Sequence, residues 1–101
     1  MQIIEKQNHF WELYQQQEQY YLGFAVDTGD AMHCWHLQLT EQQILDYKQQ
    51  GRAAIEQLAK IFTQHIYQGN FKQLKAQQVN QATQAQMQQA YKVWHQTACS
   101  S

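Results

Sequence analysis

Residues 20–68 read YYLGFAVDTGDAMHCWHLQLTEQQILDYKQQGRAAIEQLAKIFTQHIYQ, and the spacing of their apolar residues changes once, from two to about 3.6. The larger apolar residues alternate along 20–26. After the turn-forming residues 27–30, Asp-Thr-Gly-Asp, they alternate again along 35–39. These two sets can share one buried face, so the pattern predicts a β-hairpin followed by a long amphipathic helix.

The residues before this hairpin fit two patterns. Apolar residues between Ile3 and Tyr14 lie on one helical stripe, but residues 9–14 also alternate as a strand would. An isolated two-stranded hairpin is marginally stable in water, which favours a third strand. We therefore expect a three-stranded antiparallel meander over residues 9–39.

The predicted helix has clear boundary signals. Thr40 followed by Gln43 is a capping-box pattern, and Gly69 stands where a C-cap glycine belongs. The apolar stripe between them passes through Gly51 without changing phase. The sequence therefore predicts one continuous helix over residues 41–68.

A second helical spacing follows at the end of the chain. Val79, Thr83, Met87, Ala90 and Trp94 recur at intervals typical of a helix. We expect a C-terminal helix over residues 79–98, packed beside or across the first. The 101 residues are then a single α+β domain, in which the meander packs against one long helix and a C-terminal helix.

The composition is rich in glutamine and poor in charge. Glutamine accounts for 23 of 101 residues, and charged residues account for 15%. Seven acidic residues and one lysine precede residue 47, a net charge of −6, whereas one glutamate and six basic residues follow, a net charge of +5. The basic residues are dispersed, so we expect no nucleic-acid binding, but the acidic half can complement a basic protein partner.

Candidate chemistry is concentrated in His33-Cys34-Trp35-His36. On a strand, Cys34 and His36 point to one face while His33 and Trp35 point to the other, so at most two ligands converge. No phosphate-binding loop, nucleophile elbow or zinc-protease motif is present. We expect no catalytic, metal-binding or cofactor-binding residues. A small Cys/His metal or thiol protein is the least favoured alternative.

The N-terminus and the cysteines bear on the compartment. Residues 1–7 contain no uninterrupted apolar region, so we expect neither a secretory signal nor a membrane span. Cys34 and Cys99 do not form the spacing of a disulfide framework, and we expect free thiols. Both features are typical of a cytoplasmic protein.

Apolar and turn positions between Trp11 and Gln68 form a series: Trp11-Glu12-Leu13-Tyr14, Tyr20-Tyr21-Leu22, Leu37-Gln38-Leu39-Thr40-Glu41, Tyr47, Gly51 and Ile55-Glu56-Gln57-Leu58-Ala59. This series resembles a group of small bacterial proteins of similar size and element order. Several of these look like immunity partners encoded beside antibacterial toxins. The resemblance implies tight binding to a cognate toxin domain, without catalysis.

The charge pattern and the resemblance together predict a partner-binding surface. Its residues are Glu12, Glu18, Asp27 and Asp30, with Tyr14, Tyr21 and His36 on the sheet face opposite the main core. The acidic groups would meet a basic partner surface, and exposed tyrosines would anchor it. The N-terminal segment or the last helix could instead cover this face. A homo-oligomeric structural or adaptor protein, such as a homodimer, is the alternative function.

Overall fold

The computed structural model describes residues 1–7 and 10–99, and it describes side chains in these ranges up to residue 94. Four antiparallel strands form one sheet in the order β1-β2-β3-β4: β1 is Gln2–Gln7, β2 is Trp11–Gln16, β3 is Gln19–Asp27 and β4 is Met32–Gln38. The predicted α+β class is confirmed, but three strands is wrong. The expected start of the meander at His9 lies outside the described residues.

The additional strand is β1, at one edge of the sheet. Its register with β2 shifts between Ile3 and Glu5, where Ile3 is opposite Tyr14 and Glu5 is opposite Leu13. Such an irregularity places one extra residue in the strand and interrupts the alternation of its side chains. The adjacent Ile3 and Ile4 therefore do not show a period of two, which is why the sequence pattern did not distinguish this strand from a helix.

Four helices follow the sheet: α1 is Glu41–Gln50, α2 is Arg52–Tyr67, α3 is Lys72–Gln77 and α4 is Gln81–Cys99. The predicted capping box is present, because the Gln43 backbone N–H donates to Thr40 Oγ1 at 3.2 Å and the Thr40 N–H donates to Gln43 Oε1 at 2.9 Å. Residues 79–98 were the expected range of the last helix, and α4 occupies most of it.

The single helix expected over residues 41–68 is wrong, since Gly51 divides it. Gly51 has φ 70° and ψ −146°, a backbone conformation that is essentially restricted to glycine. Its N–H still donates to the Tyr47 carbonyl at 2.7 Å, so α1 ends there and α2 starts afresh. The apolar stripe continues because both helices pack on the same face of the sheet.

Gly69 ends α2 as predicted. It has φ 72°, and its N–H donates to the Ile66 carbonyl at 3.1 Å, while the Asn70 N–H donates to the His65 carbonyl at 2.9 Å. These two bonds form a Schellman motif, which satisfies carbonyls at the helix end. The chain then turns into the short helix α3, which lies between the two predicted helices.

The main core lies between one sheet face and the helices α1, α2 and α3. Phe62 of α2 is fully buried and stacks on Phe24 of β3, with ring centroids 5.7 Å apart. Trp35 of β4 stacks on Phe71 at 5.8 Å. The buried members of this core are Trp11, Leu13, Tyr20, Leu22, Phe24, Val26, Leu37, Leu39, Ile55, Ala59, Phe62, Ile66 and Leu74.

A smaller cluster lies on the second sheet face. After α3, the chain pairs Gln78 with Leu37 of β4, and the Val79 N–H donates to the His36 carbonyl at 3.0 Å. These contacts carry it around the sheet edge, so that α4 crosses the second face. There Met87 is fully buried against Tyr14 and Tyr21. No helix within the described residues is long and apolar enough to cross a membrane.

We predict that Gly51→Ala lowers the free energy of unfolding by about 1–3 kcal/mol, because alanine strongly disfavours this backbone conformation. A Cβ there would meet no atom within 4 Å, so the loss would come from the backbone alone. Urea unfolding followed by circular dichroism measures it, with Gln50→Ala at the exposed end of α1 as the control. A gain of about 1 kcal/mol, as expected for glycine replaced inside a continuous helix, would contradict the divided helix.

Candidate functional site

The helix α4 covers the second sheet face only in part, and a groove of about 450 Å³ remains open beside it. We call this the sheet groove. It is lined by Phe10, Glu12, Tyr14, Gly23, Phe24, Ala25, Met32, Cys34, His36 and Tyr91. Strands β2, β3 and β4 supply the floor, and Tyr91 of α4 forms one wall. The groove therefore combines ionisable, aromatic and aliphatic groups on a rigid sheet.

The floor of the sheet groove follows one row across three strands. Glu12 of β2 is opposite Gly23 of β3, and Gly23 is opposite His36 of β4. A Cβ atom at Gly23 would lie 3.4 Å from Tyr14 Cε1 and 3.6 Å from His36 Cδ2. These are ordinary van der Waals distances, so the two rings lie close to Gly23 on either side of the central strand.

Three of the seven predicted partner-binding residues, Glu12, Tyr14 and His36, line the sheet groove. Asp27 is paired with Met32, a groove residue, so the acidic β3–β4 hairpin adjoins one end of the groove. Cys34 also lies there, on the same strand face as His36. It is exposed and not in a disulfide, whereas the Cys99 side chain lies outside the described residues.

The expected exposure of two tyrosines is wrong. Tyr14 is 3% exposed and Tyr21 is 9% exposed, because Met87 of α4 packs on them. Both coverings that the sequence left open contribute here, because Met1 and Ile3 of the N-terminal segment pack against the same cluster as Met87 of the last helix. Tyr14 lines the sheet groove but is almost wholly buried, and neither tyrosine offers a large accessible ring to a partner.

Glu18 does not belong to the same surface as the other predicted acidic residues. It lies in the turn between β2 and β3, before the first residue of β3, whereas Asp27 is the last residue of that strand. A nine-residue strand spans about 26 Å at about 3.3 Å per residue. One compact contact at the hairpin therefore includes Asp27 and Asp30 but not Glu18.

Burial favours the neutral forms of three ionisable groups of the sheet groove, Glu12, Tyr14 and His36. Burial raises the pKa of the Glu12 carboxyl, and Lys6 opposes this rise in part. Burial lowers the pKa of His36, which favours its neutral ring at pH 7. Burial also raises the pKa of Tyr14, with smaller contributions from Glu12 and Tyr91. The groove is therefore a partly desolvated environment in which Glu12 is the main source of negative charge.

The arrangement of Glu12, Cys34 and His36 also bears on chemistry. A cysteine nucleophile needs a hydrogen-bonded base that a third group orients. Among the described side chains, no hydrogen bond joins His36 to either Cys34 or Glu12. Glu12 lies on β2, which β3 separates from the strand of His36. Within the same part of the chain, no group of three or more His, Cys, Asp or Glu side chains is placed to hold a metal ion.

The β3–β4 hairpin is held in place from two sides. Asp27 Oδ1 accepts a hydrogen bond from the Gly29 N–H at 2.9 Å, and Gly29 has φ 91°. The Tyr67 hydroxyl of α2 donates to the Asp27 carbonyl at 3.0 Å. The hairpin thus presents its acidic side chains from a fixed backbone, which reduces the ordering cost of any contact with a partner.

A second groove, of about 550 Å³, lies between the start of β1 and the last turns of α4. It is lined by Met1, Gln2, Ile3, Gln16, Gln86, Gln89, Ala90, Val93 and Trp94. Its walls contain apolar groups and neutral amides but no ionisable side chain. It therefore offers shape to an apolar group but little that would select a ligand by charge.

Two exposed residues with large apolar side chains in the sheet groove were not among the predicted partner-binding residues. Met32 is 61% exposed and Tyr91 is 38% exposed, and they form the apolar rim. Strand alternation could have identified Met32, which has the same parity as Cys34 and His36. No local signal could have identified Tyr91, because the sequence pattern of α4 does not specify which sheet face the helix crosses.

We predict that Glu12→Gln raises the melting temperature at pH 7. The folded state holds the Glu12 proton more tightly than the unfolded chain, so ionisation of this carboxyl costs stability above its folded pKa. The cost disappears as the pH falls below the ordinary value of 4.5. The difference between variant and wild type should therefore shrink toward pH 4.

Calorimetry at pH 7 and pH 4 measures this difference. Glu18→Gln, in the exposed turn at the other end of β3, is the matched control and should change the melting temperature little at either pH. A Glu12→Gln protein less stable than wild type at pH 7 would show that Glu12 stabilises the fold and would contradict our description of the groove.

Comparison with known proteins adds no relative to this description. No protein-family model, no curated protein and no solved structure matches the chain. The function must therefore be argued from the residues of the sheet groove and of the adjoining hairpin.

Proposed function

We propose that this chain is a non-catalytic binding module of the immunity type, which occludes a basic surface of a cognate toxin domain in the cytoplasm. The observation that carries the proposal is the pairing of a half-buried carboxylate, Glu12, with a fixed acidic hairpin at the end of the same groove. Function would follow from coverage alone, because a toxin whose basic substrate-binding surface is covered cannot reach its substrate.

Charge supports a basic partner. Asp27 and Asp30 are exposed at the hairpin, and Glu12 lies along the sheet groove that starts beside it. Like charges gathered on one surface raise the rate at which an oppositely charged protein is captured. The strands also carry more negative charge than the helices, so a basic partner would be attracted to the part of the sheet that α4 leaves open.

The apolar rim supports a protein partner rather than a small ion. Met32 and Tyr91 are exposed beside the carboxylate, and methionine and tyrosine are enriched in protein interfaces. A stable interface buries about 800 Å² on each partner, which is more than the groove alone can supply. The hairpin and the groove would have to be engaged together.

We predict that Asp27→Asn combined with Asp30→Asn slows association with the partner about tenfold at low ionic strength, and less at high ionic strength, because steering by charge is lost. Asparagine keeps an oxygen that can accept the Gly29 hydrogen bond. The partner is first obtained by affinity capture from lysate of the source organism, with stoichiometry determined by mass spectrometry. Association rates are then measured by surface plasmon resonance.

Glu18→Gln is the matched control, since it removes one acidic charge at the opposite end of the sheet and should leave the rate nearly unchanged. A captured partner that is toxic when expressed alone, and harmless with this chain, would support the immunity-type function. Capture of only a second copy would support the homo-oligomer instead. Unchanged rate and salt dependence in the double variant would show that the hairpin is not the contact.

A further inference from the structure

Glu12 has an available cation beside it that it does not bind. Lys6 of β1 is directly opposite Glu12 of β2, yet the Lys6 Nζ lies over the Trp94 ring, 3.7 Å from its centroid. Among the described side chains, the ion pair with an N–O distance within 4.0 Å joins Arg52 and Glu56, and Glu12 forms no such pair. The α4 helix thus holds Lys6 on an aromatic ring and leaves the carboxylate unpaired.

An unpaired carboxylate that is partly buried is costly. Desolvation penalises its charge, and a nearby positive group with good hydrogen-bond geometry recovers much of that penalty. A neutral apolar ligand would desolvate Glu12 further without compensation, and an anion would be repelled. The chemistry of the sheet groove therefore selects a cation.

The residues that line the groove suit an organic cation whose charged group is planar. Tyr91 is 38% exposed and lines the sheet groove together with Glu12, and the face of such a ring attracts cations. A guanidinium group can pair with a carboxylate through two parallel N–H donors and can stack on aromatic rings as well. The neutral form of His36 adds no repulsion at pH 7.

We propose that the sheet groove receives an arginine side chain of the protein partner, with Glu12 as the paired carboxylate and the ring of Tyr91 against the guanidinium. The inference rests on the proposed function and specifies its site. Met32 packs against the aliphatic part of the arriving side chain, and Lys6, placed over the Trp94 ring, acts on Glu12 at longer range than an ion pair.

The test uses N-acetyl-L-argininamide as the probe and N-acetyl-L-citrullinamide as its neutral counterpart of nearly the same shape. The isotope-labelled full chain is titrated with each, and the NMR signals of the Met32 methyl group and of the backbone amides of residues 12, 34 and 36 are followed. Argininamide should produce saturable shifts with a dissociation constant on the order of millimolar, as expected for one ion pair in a groove.

In Glu12→Gln the affinity for argininamide should fall at least tenfold, whereas Glu18→Gln should bind as wild type does. Citrullinamide should produce no saturable shifts. Equal responses to the two probes, unchanged binding by Glu12→Gln, or no saturable response to argininamide would each overturn the site. Partner capture and the hairpin variants are measured separately from argininamide binding. A partner captured by a protein that does not bind argininamide would therefore refute the arginine site but not the proposed function.

Discussion

The central strand β3 must be covered on both of its faces, and the arrangement of the helices follows from that requirement. Leu22 and Phe24 point to one side, where α2 provides Ile55 and Phe62, and Tyr21 points to the other, where α4 provides Met87. A sheet with apolar groups on both faces cannot leave either face to water without a large cost. The chain therefore passes around the β4 edge, and α4 returns across the second face.

The sheet groove is a consequence of incomplete coverage. One helix is narrower than a sheet of four strands about 4.8 Å apart, so α4 contacts β1 and packs Met87 over Tyr14 and Tyr21 but leaves the part of the face with Glu12, Cys34 and His36 open. On that open side, burial is sufficient to shift the pKa of Glu12 and His36 but not to exclude a ligand. Charged groups that cost stability in such places are typical of binding sites rather than of cores.

Local sequence patterns predicted the elements whose signals are local. The hairpin, the capping box at Thr40 and the Gly69 terminus are as expected, since alternation, a capping side chain and a C-cap glycine act within a few residues. The break at Gly51 was not predictable from the apolar stripe, because two helices on one sheet face keep the same phase. The irregularity of β1 hid a fourth strand. Glu12 and His36 could be assigned to one face by parity, but Tyr91 and Trp94 reach that face only through the tertiary path of α4.

We propose that a partner covers the open side of the second sheet face. Cys34 can report on this contact, because it is exposed in the sheet groove. Its rate of alkylation by iodoacetamide can be measured by peptide mass spectrometry in the free protein and in the complex with the captured partner, with Cys99 quantified separately. We predict that iodoacetamide alkylates Cys34 at least tenfold more slowly in the complex than in the free protein. An equal rate of Cys34 alkylation in the free protein and in the complex would show that the partner binds elsewhere, and that the sheet groove is not its contact surface.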